Sequence, residues 1–132
     1  EMPSTIIEVR RTYTAEEEIK IIEAVQAALV EGFKIPLGDR CVRFVSHEPH
    51  RFIALSRLTQ PERYTVITIS AFLGRSIEAK RNLYQGIVNR LAPLGIPPDH
   101  TKIMLNEIAR ENWGLGGGKP ASEIELNFKI EV

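Results

Sequence analysis

Two residues far apart in the chain offer chemistry that few groups can supply. The chain opens Glu1-Met2-Pro3 and runs at once into Ile6-Ile7-Glu8-Val9. An initiator Met is commonly trimmed ahead of a small residue such as Pro. With Met2 as the initiator, Glu1 stands ahead of the natural start, and the native chain begins at Pro3 with a free secondary amine. An ordinary α-amino group titrates near about 7.7–8.0. Apolar or cationic surroundings lower that value and make the amine a base near neutrality. With Glu1 and Met2 attached the nitrogen is an amide, and the chain in that form is expected to be inactive until trimmed. Alternatively, Pro3 merely starts an edge strand, where its missing N–H does no harm. Arg75 is the second residue. It lies in Gly74-Arg75-Ser76, between the strongest strand pattern and a helix. Ligands of α/β folds bind at that end of a strand. A guanidinium there, beside the N–H groups of a helix N-terminus, suits a carboxylate. The alternative for Arg75 is a solvated surface position. Asp39 lies in a turn, as a cap or as an acid, and Trp113 is the only Trp, suited to plugging a core or an interface.

Other chemistries find less support. His47 and His50 flank Glu48-Pro49, a turn and not a helix, so a solvated loop is expected there and no metal site. The single Cys41 excludes an intramolecular disulfide and a Cys-rich zinc site. Gly116-Gly117-Gly118 lacks the Lys-Ser pattern of a phosphate loop and precedes no helix; flexibility or close approach of a neighbouring subunit explains it better. The formal net charge is zero, which favours neither nucleic acid nor an anionic membrane. No apolar run is long enough for a membrane span and no signal peptide is visible, so the cytoplasm is the expected location.

The elements that must position these residues follow from pattern. Residues 4–10 read as a strand. Thr14 and Glu17 form a capping box for a helix with Ile19, Ile22, Val25, Leu29 and Phe33 on its apolar side, ending at residues 32–34, where Gly32 and Pro36 mark the stop. Residues 41–46 read as a second strand. Phe52-Ile53-Ala54-Leu55 reads as a short strand or a loop. Tyr64 to Phe72 is the strongest strand. A second helix carries Ile77, Leu83, Tyr84, Ile87, Val88, Leu91 and Leu94 and is stopped by Pro93 and Gly95. Thr101 to Ile108 reads as a strand, and 122–132 alternates as a terminal strand.

A shift of 61 residues sets Ile35-Pro36 on Ile96-Pro97, Val42 and Phe44 on Ile103 and Leu105, Ile22, Val30 and Phe33 on Leu83, Leu91 and Leu94, and Ile6 on Ile67. The 132 residues therefore read as one domain of two strand–helix–strand repeats, about 3–60 and 64–120, plus the strand 122–132. The expected class is α+β: a four-stranded mixed sheet with two helices on one face. The other face is expected to be covered by further subunits, with the terminal strand a candidate to pair across that interface.

A duplicated βαβ chain beginning Met-Pro resembles the tautomerase superfamily, and most closely its malonate semialdehyde decarboxylase-like branch. The likeness spans nearly the whole chain. It is carried by Pro3, by Ile35-Pro36-Leu37-Gly38-Asp39-Arg40, by Gly74-Arg75-Ser76-Ile77-Glu78-Ala79-Lys80 leading to Leu83-Tyr84, and by Asn112-Trp113-Gly114-Leu115-Gly116. The resemblance implies a homotrimer with the macrophage-migration-inhibitory-factor-like fold and an N-terminal catalytic proline that needs no cofactor. It implies that Pro3 is a general base in a tautomerase, or a cationic acid in a decarboxylase. It assigns Asp39 to positioning water, Arg75 to the substrate carboxylate, and Trp113 and Leu115 to the pocket wall. The family's second arginine, two positions earlier, is Leu73 here, which suits a 2-oxo acid or its enol better than malonate semialdehyde. The expected function is keto–enol isomerisation of a small oxo acid. The alternatives are a decarboxylase, dehalogenase or hydratase-like lyase, and a non-catalytic trimeric binding protein on the same fold.

Overall fold

The computed structural model describes residues 3–125 and residue 132. Its main elements are strand β1 (Ser4–Val9), helix α1 (Ala15–Phe33), strand β2 (Val42–Ser46), strand β3 (Thr65–Phe72), helix α2 (Ile77–Leu91) and strand β4 (Thr101–Ile108). The strands form one mixed sheet in the order β2-β1-β3-β4. Within each βαβ unit the two strands are parallel, joined through a helix, and the central β1–β3 pair is antiparallel. The segment containing residues 52–55 is a loop.

Strand alternation assigns one face to the helices. Thr5, Ile7 and Val9 of β1 are buried opposite Ile69, Ile67 and Thr65 of β3, and they join one core with both helices. Each fully buried aliphatic side chain contributes about 1.5–3 kcal/mol. The other face carries Arg43, Ile6, Thr68 and Met104 in one cross-strand row, then Val45, Glu8, Val66 and Lys102 in the next. It is mixed in polarity. Leu58 and Tyr64 pack on Val66 from the loop after β2. His47 is hydrogen-bonded to Glu8, Nε2 to Oε2 2.8 Å, with both side chains partly buried, so it is not the solvated loop residue expected. His50 is exposed.

Helix α1 starts as expected. Thr14 Oγ1 accepts from the Glu17 N–H at 3.1 Å, and the Glu17 carboxylate accepts from the Thr14 N–H at 2.9 Å. The apolar face is rotated from the expected one. Ile21, Val25, Ala28, Leu29 and Phe33 are buried, while Ile19 is 59% exposed. Ile77 is equally exposed at the start of α2, where Leu83, Ile87 and Leu91 enter the core. The buried helix positions Ile21, Val25, Leu29 and Phe33 match Ala79, Leu83, Ile87 and Leu91 at a shift of 58 (79 − 21), not 61. The difference is the extra 3-10 turn Ala92–Leu94, closed by Gly95 at φ 94°, before the second Ile-Pro pair. The first strands also slip. The paired residues Thr5 and Val42 correspond to the paired Ile67 and Ile103, so Ile6, on the open face, is not the counterpart of Ile67. The terminal strand begins differently too. Ala121–Glu123 is a 3-10 turn, and residues 126–131 of the expected strand lie outside the described residues.

At Gly32 the two helices are in tight contact. A Cβ there would lie 3.0 Å from Leu83 Cα and 3.1 Å from its backbone nitrogen. Gly32→Ala should therefore destabilise the fold by about 1–3 kcal/mol in urea unfolding, outweighing the better helix propensity of Ala. Thr14→Ala should cost about 1 kcal/mol in the same measurement.

Candidate active site

One edge of the sheet gathers most of the residues singled out above. Because β1 and β3 are antiparallel and Ser4 pairs with Ser70, Pro3 stands beside the end of β3. Thr5 pairs with Val42, and its N–H donates to the Cys41 carbonyl at 2.9 Å, which brings the 39–41 segment to the same edge. Phe72 pairs with Ile108, so β4 also ends there. Pro3 is buried. Asp39 is fixed by its backbone: its N–H donates to the Pro36 carbonyl at 3.0 Å, and its carbonyl accepts from Nε2 of the buried Gln26 at 3.1 Å.

Arg75 is not a solvated surface residue. It is only 7% exposed. Its Nη1 donates to the Phe72 carbonyl at 3.3 Å, and its guanidinium carbon lies 4.6 Å from the Phe33 ring centroid. That geometry is a cation–π contact. Its Nε is buried with no hydrogen-bond partner. Burial pushes its pKa below the ordinary arginine value, and the Glu107 carboxylate opposes that shift. The side chain remains charged at any ordinary pH, because guanidinium is too basic to lose its proton there. Among the described residues no carboxylate forms an ion pair with it. The helix N-terminus adds less than expected. The Ser76 N–H donates to the Val132 carbonyl at 3.0 Å, and Ser76 Oγ accepts from the Ala79 N–H at 3.1 Å, so these two donors are already used.

Trp113 and Leu115 come to the same strand end from the opposite side of the sheet. Phe72 is buried, and its ring meets Trp113 edge-on at 5.5 Å, with Leu115 and Ala121 completing the cluster. Leu115 lies in a two-stranded hairpin, β5 (Gly114–Leu115) with β6 (Lys119–Pro120). The turn has φ of 53°, 83° and 98° at Gly116, Gly117 and Gly118, which is the conformational reason for three glycines in place of the looser explanation by flexibility. Leu73 is 54% exposed beside this edge. Sequence reasoning missed Phe72 as the hinge of the site: Arg75 holds its carbonyl while Trp113 packs on its ring. It also missed Arg110, whose Nη2 donates to the Ala121 carbonyl at 3.0 Å and the Ile124 carbonyl at 2.9 Å. The Phe72–Trp113 and Arg110 contacts have no local signal, since they depend on which chain segments meet at the sheet edge. Among the described residues, no group of three or more His, Cys, Asp or Glu could hold a metal ion, and no helix is long and apolar enough to cross a membrane.

This sheet, with its paired βαβ units and a proline at the head of β1, has known counterparts. The profile of the family described as tautomerase enzyme matches residues 39–116, more than half of the chain, and the chain belongs to that family. Among solved structures, the FG41 malonate semialdehyde decarboxylase inhibited by 3-bromopropiolate is 29% identical, with a TM-score of 0.81 over 96% of this chain and 99% of that one. A native fused 4-OT is 20% identical with a TM-score of 0.81 over 92% of this chain and 98% of that one. The macrophage migration inhibitory factor of Toxoplasma gondii is 11% identical with a TM-score of 0.73 over 86% and 96%. These last two show the shared fold. No curated protein matches the chain in sequence.

The depressed basicity of Arg75 has a sign. A folded-state pKa below the unfolded one lowers folding stability at every pH where the group is charged, and that includes neutrality. Arg75→Met should therefore unfold at the same or a higher urea midpoint than the parent chain, although it removes a buried hydrogen bond. A midpoint lowered by the equivalent of about 2 kcal/mol or more would mean that the guanidinium is a structural tie instead.

Proposed function

We propose that the chain, processed to begin at Pro3, catalyses keto–enol isomerisation of a small 2-oxo acid. The observation that supports this most is Arg75, a buried guanidinium without an ion-paired carboxylate among the described residues, at the sheet edge where Pro3 begins. A buried cation of that kind calls for an anion, and a substrate carboxylate meets the need. In this reading the Pro3 nitrogen takes the enol hydroxyl proton and returns a proton to the adjacent carbon. The O–H bond breaks, the electron pair moves to restore the carbonyl, and a C–H bond forms. Arg75 binds the carboxylate and offsets enolate charge, and Trp113 and Leu115 with Leu73 supply apolar wall. Nothing in this sequence of steps requires a cofactor.

The test is ketonisation of phenylpyruvate enol by protein beginning at Pro3. Pro3→Ala should lose about a hundredfold or more in kcat/KM, and Arg75→Met should raise KM about tenfold or more. Unchanged turnover by Pro3→Ala would remove the reading. Protein that keeps Glu1 and Met2 should be inactive, because its proline nitrogen is an amide.

The 29% identity to a malonate semialdehyde decarboxylase over nearly the full length supports a second reading, a lyase with cationic Pro3 and water positioned by Asp39. It predicts decarboxylation of a β-oxo acid that falls about tenfold or more in Asp39→Asn. We further infer a homotrimer, since structural relatives at 20–23% identity are described as trimers. Ile6, Val45 and Met104 on the uncovered sheet face give a second and third copy apolar surface to bury, while Glu8, Arg43 and Lys102 give polar contacts to match. Light scattering should return three times the chain mass. A soluble location in the cytoplasm fits the same reading.

A further inference from the structure

A second cation stands in the first turn of the helix that Arg75 precedes, and it bears on how the site holds a ligand. Lys80 is one helical turn beyond the Ser76 cap, its N–H donating to the Ser76 carbonyl at 3.1 Å. Its Nζ lies 2.7 Å from Oε1 of Glu107, with both side chains about a quarter exposed, at 21% and 27%. Glu107 pairs with Ala71 across β3–β4, and Pro3 stands next to Ala71 on the other side, one step beyond the Ser4–Ser70 pair. Glu107 therefore belongs to the cross-strand row that ends at Pro3, two strand spacings or roughly 10 Å away. Its carboxylate charge is felt at Arg75.

Lys80, Arg75 and the Glu107 carboxylate thus lie at this corner, and where that carboxylate is held bears on what is left for a substrate. Paired with Lys80, Glu107 makes no ion pair with Arg75. Released, it would be free to swing toward Arg75, which directly precedes the cap of the helix that carries Lys80, and close the anion site from within. We propose that Lys80 is a positioning residue of the anion site: by holding Glu107 in place it keeps this carboxylate off Arg75 and leaves the guanidinium for the carboxylate of an incoming oxo acid. The inference rests on the reading of Arg75 as carboxylate anchor. It goes beyond that reading by making affinity depend on a pair that touches no substrate.

The experiment uses 3-phenylpropionate, a carboxylate that has no carbonyl to tautomerise, titrated calorimetrically into protein beginning at Pro3. Lys80→Met should weaken binding about tenfold. Lys80→Arg, which keeps the pair, should bind as the parent does. Glu107→Gln should bind as tightly as the parent or tighter, and Lys80→Met combined with Glu107→Gln should return to within about threefold of the parent. Recovery in the double variant is the signature that a merely structural pair would not give. Equal binding by Lys80→Met and the parent, or weaker binding by Glu107→Gln, would overturn the proposal. Glu107→Gln retains a hydrogen-bonding side chain, so this arm does not depend on Lys80→Met folding. Parent protein that binds 3-phenylpropionate but does not ketonise phenylpyruvate would remove the isomerase reading and leave this one intact. Parent protein that does not bind 3-phenylpropionate would remove the anion site itself.

Discussion

A guanidinium under the end of a sheet, stacked on Phe33 and hydrogen-bonded to a main-chain carbonyl, is the interaction on which the site depends. Removing an arginine from water is expensive, and one carbonyl with one aromatic face compensates only part of that loss. The fold tolerates it because three elements meet there. The last residue of α1 supplies the ring, the last residue of β3 supplies the carbonyl, and the residue before the α2 cap supplies the charge. Each of the three is fixed by core packing further along its own element. The arrangement therefore persists without a local partner for Nε, and the unsatisfied charge is available for work.

The antiparallel centre of the sheet determines where the proline lies. In a wholly parallel sheet, the start of one strand lies at the edge opposite to the ends of its neighbours. Here β1 runs against β3, so the start of β1 shares an edge with the end of β3 and the start of α2. The duplication of a βαβ unit, with its two copies side by side in opposite directions, thus brings an N-terminal nitrogen to the edge where α/β folds bind ligands. Packing of α1 on α2 through Gly32 and Leu83 holds the two copies in that relation.

Much of this was legible in the sequence because it is local. The Thr14–Glu17 capping box, the two Ile-Pro turns and the strand 64–72 are written in neighbouring residues, and each is present at its expected place. The phase of α1 was not legible. Ile19, Ile21 and Ile22 lie together, and periodicity alone does not say which of them faces the sheet; the structure buries Ile21 and exposes Ile19. The repeat was found through its turns, which hid the three-residue difference between the copies and the one-residue slip of β1. Contacts across the sheet were invisible altogether. The His47–Glu8 pair, the Lys80–Glu107 pair and the Phe72–Trp113 contact depend on register or topology, and no window of the sequence contains both partners of any of them. Pro3, Asp39 and Arg75 were singled out from type and position, but the burial of Arg75 against Phe33 had no sequence signal.

The central claim is that the Pro3 nitrogen is an uncharged base near neutral pH. The most direct measurement is a nitrogen-15 NMR titration of protein labelled at proline and beginning at Pro3, followed from acid to alkaline pH. Pro3 is buried at the end of the sheet that also carries the cationic Arg75, and burial and positive charge both favour the neutral amine. The account predicts a titration at or below about 8, the range of an ordinary α-amino group. A nitrogen that stays protonated beyond about pH 9 would contradict it and make Pro3 a cationic acid.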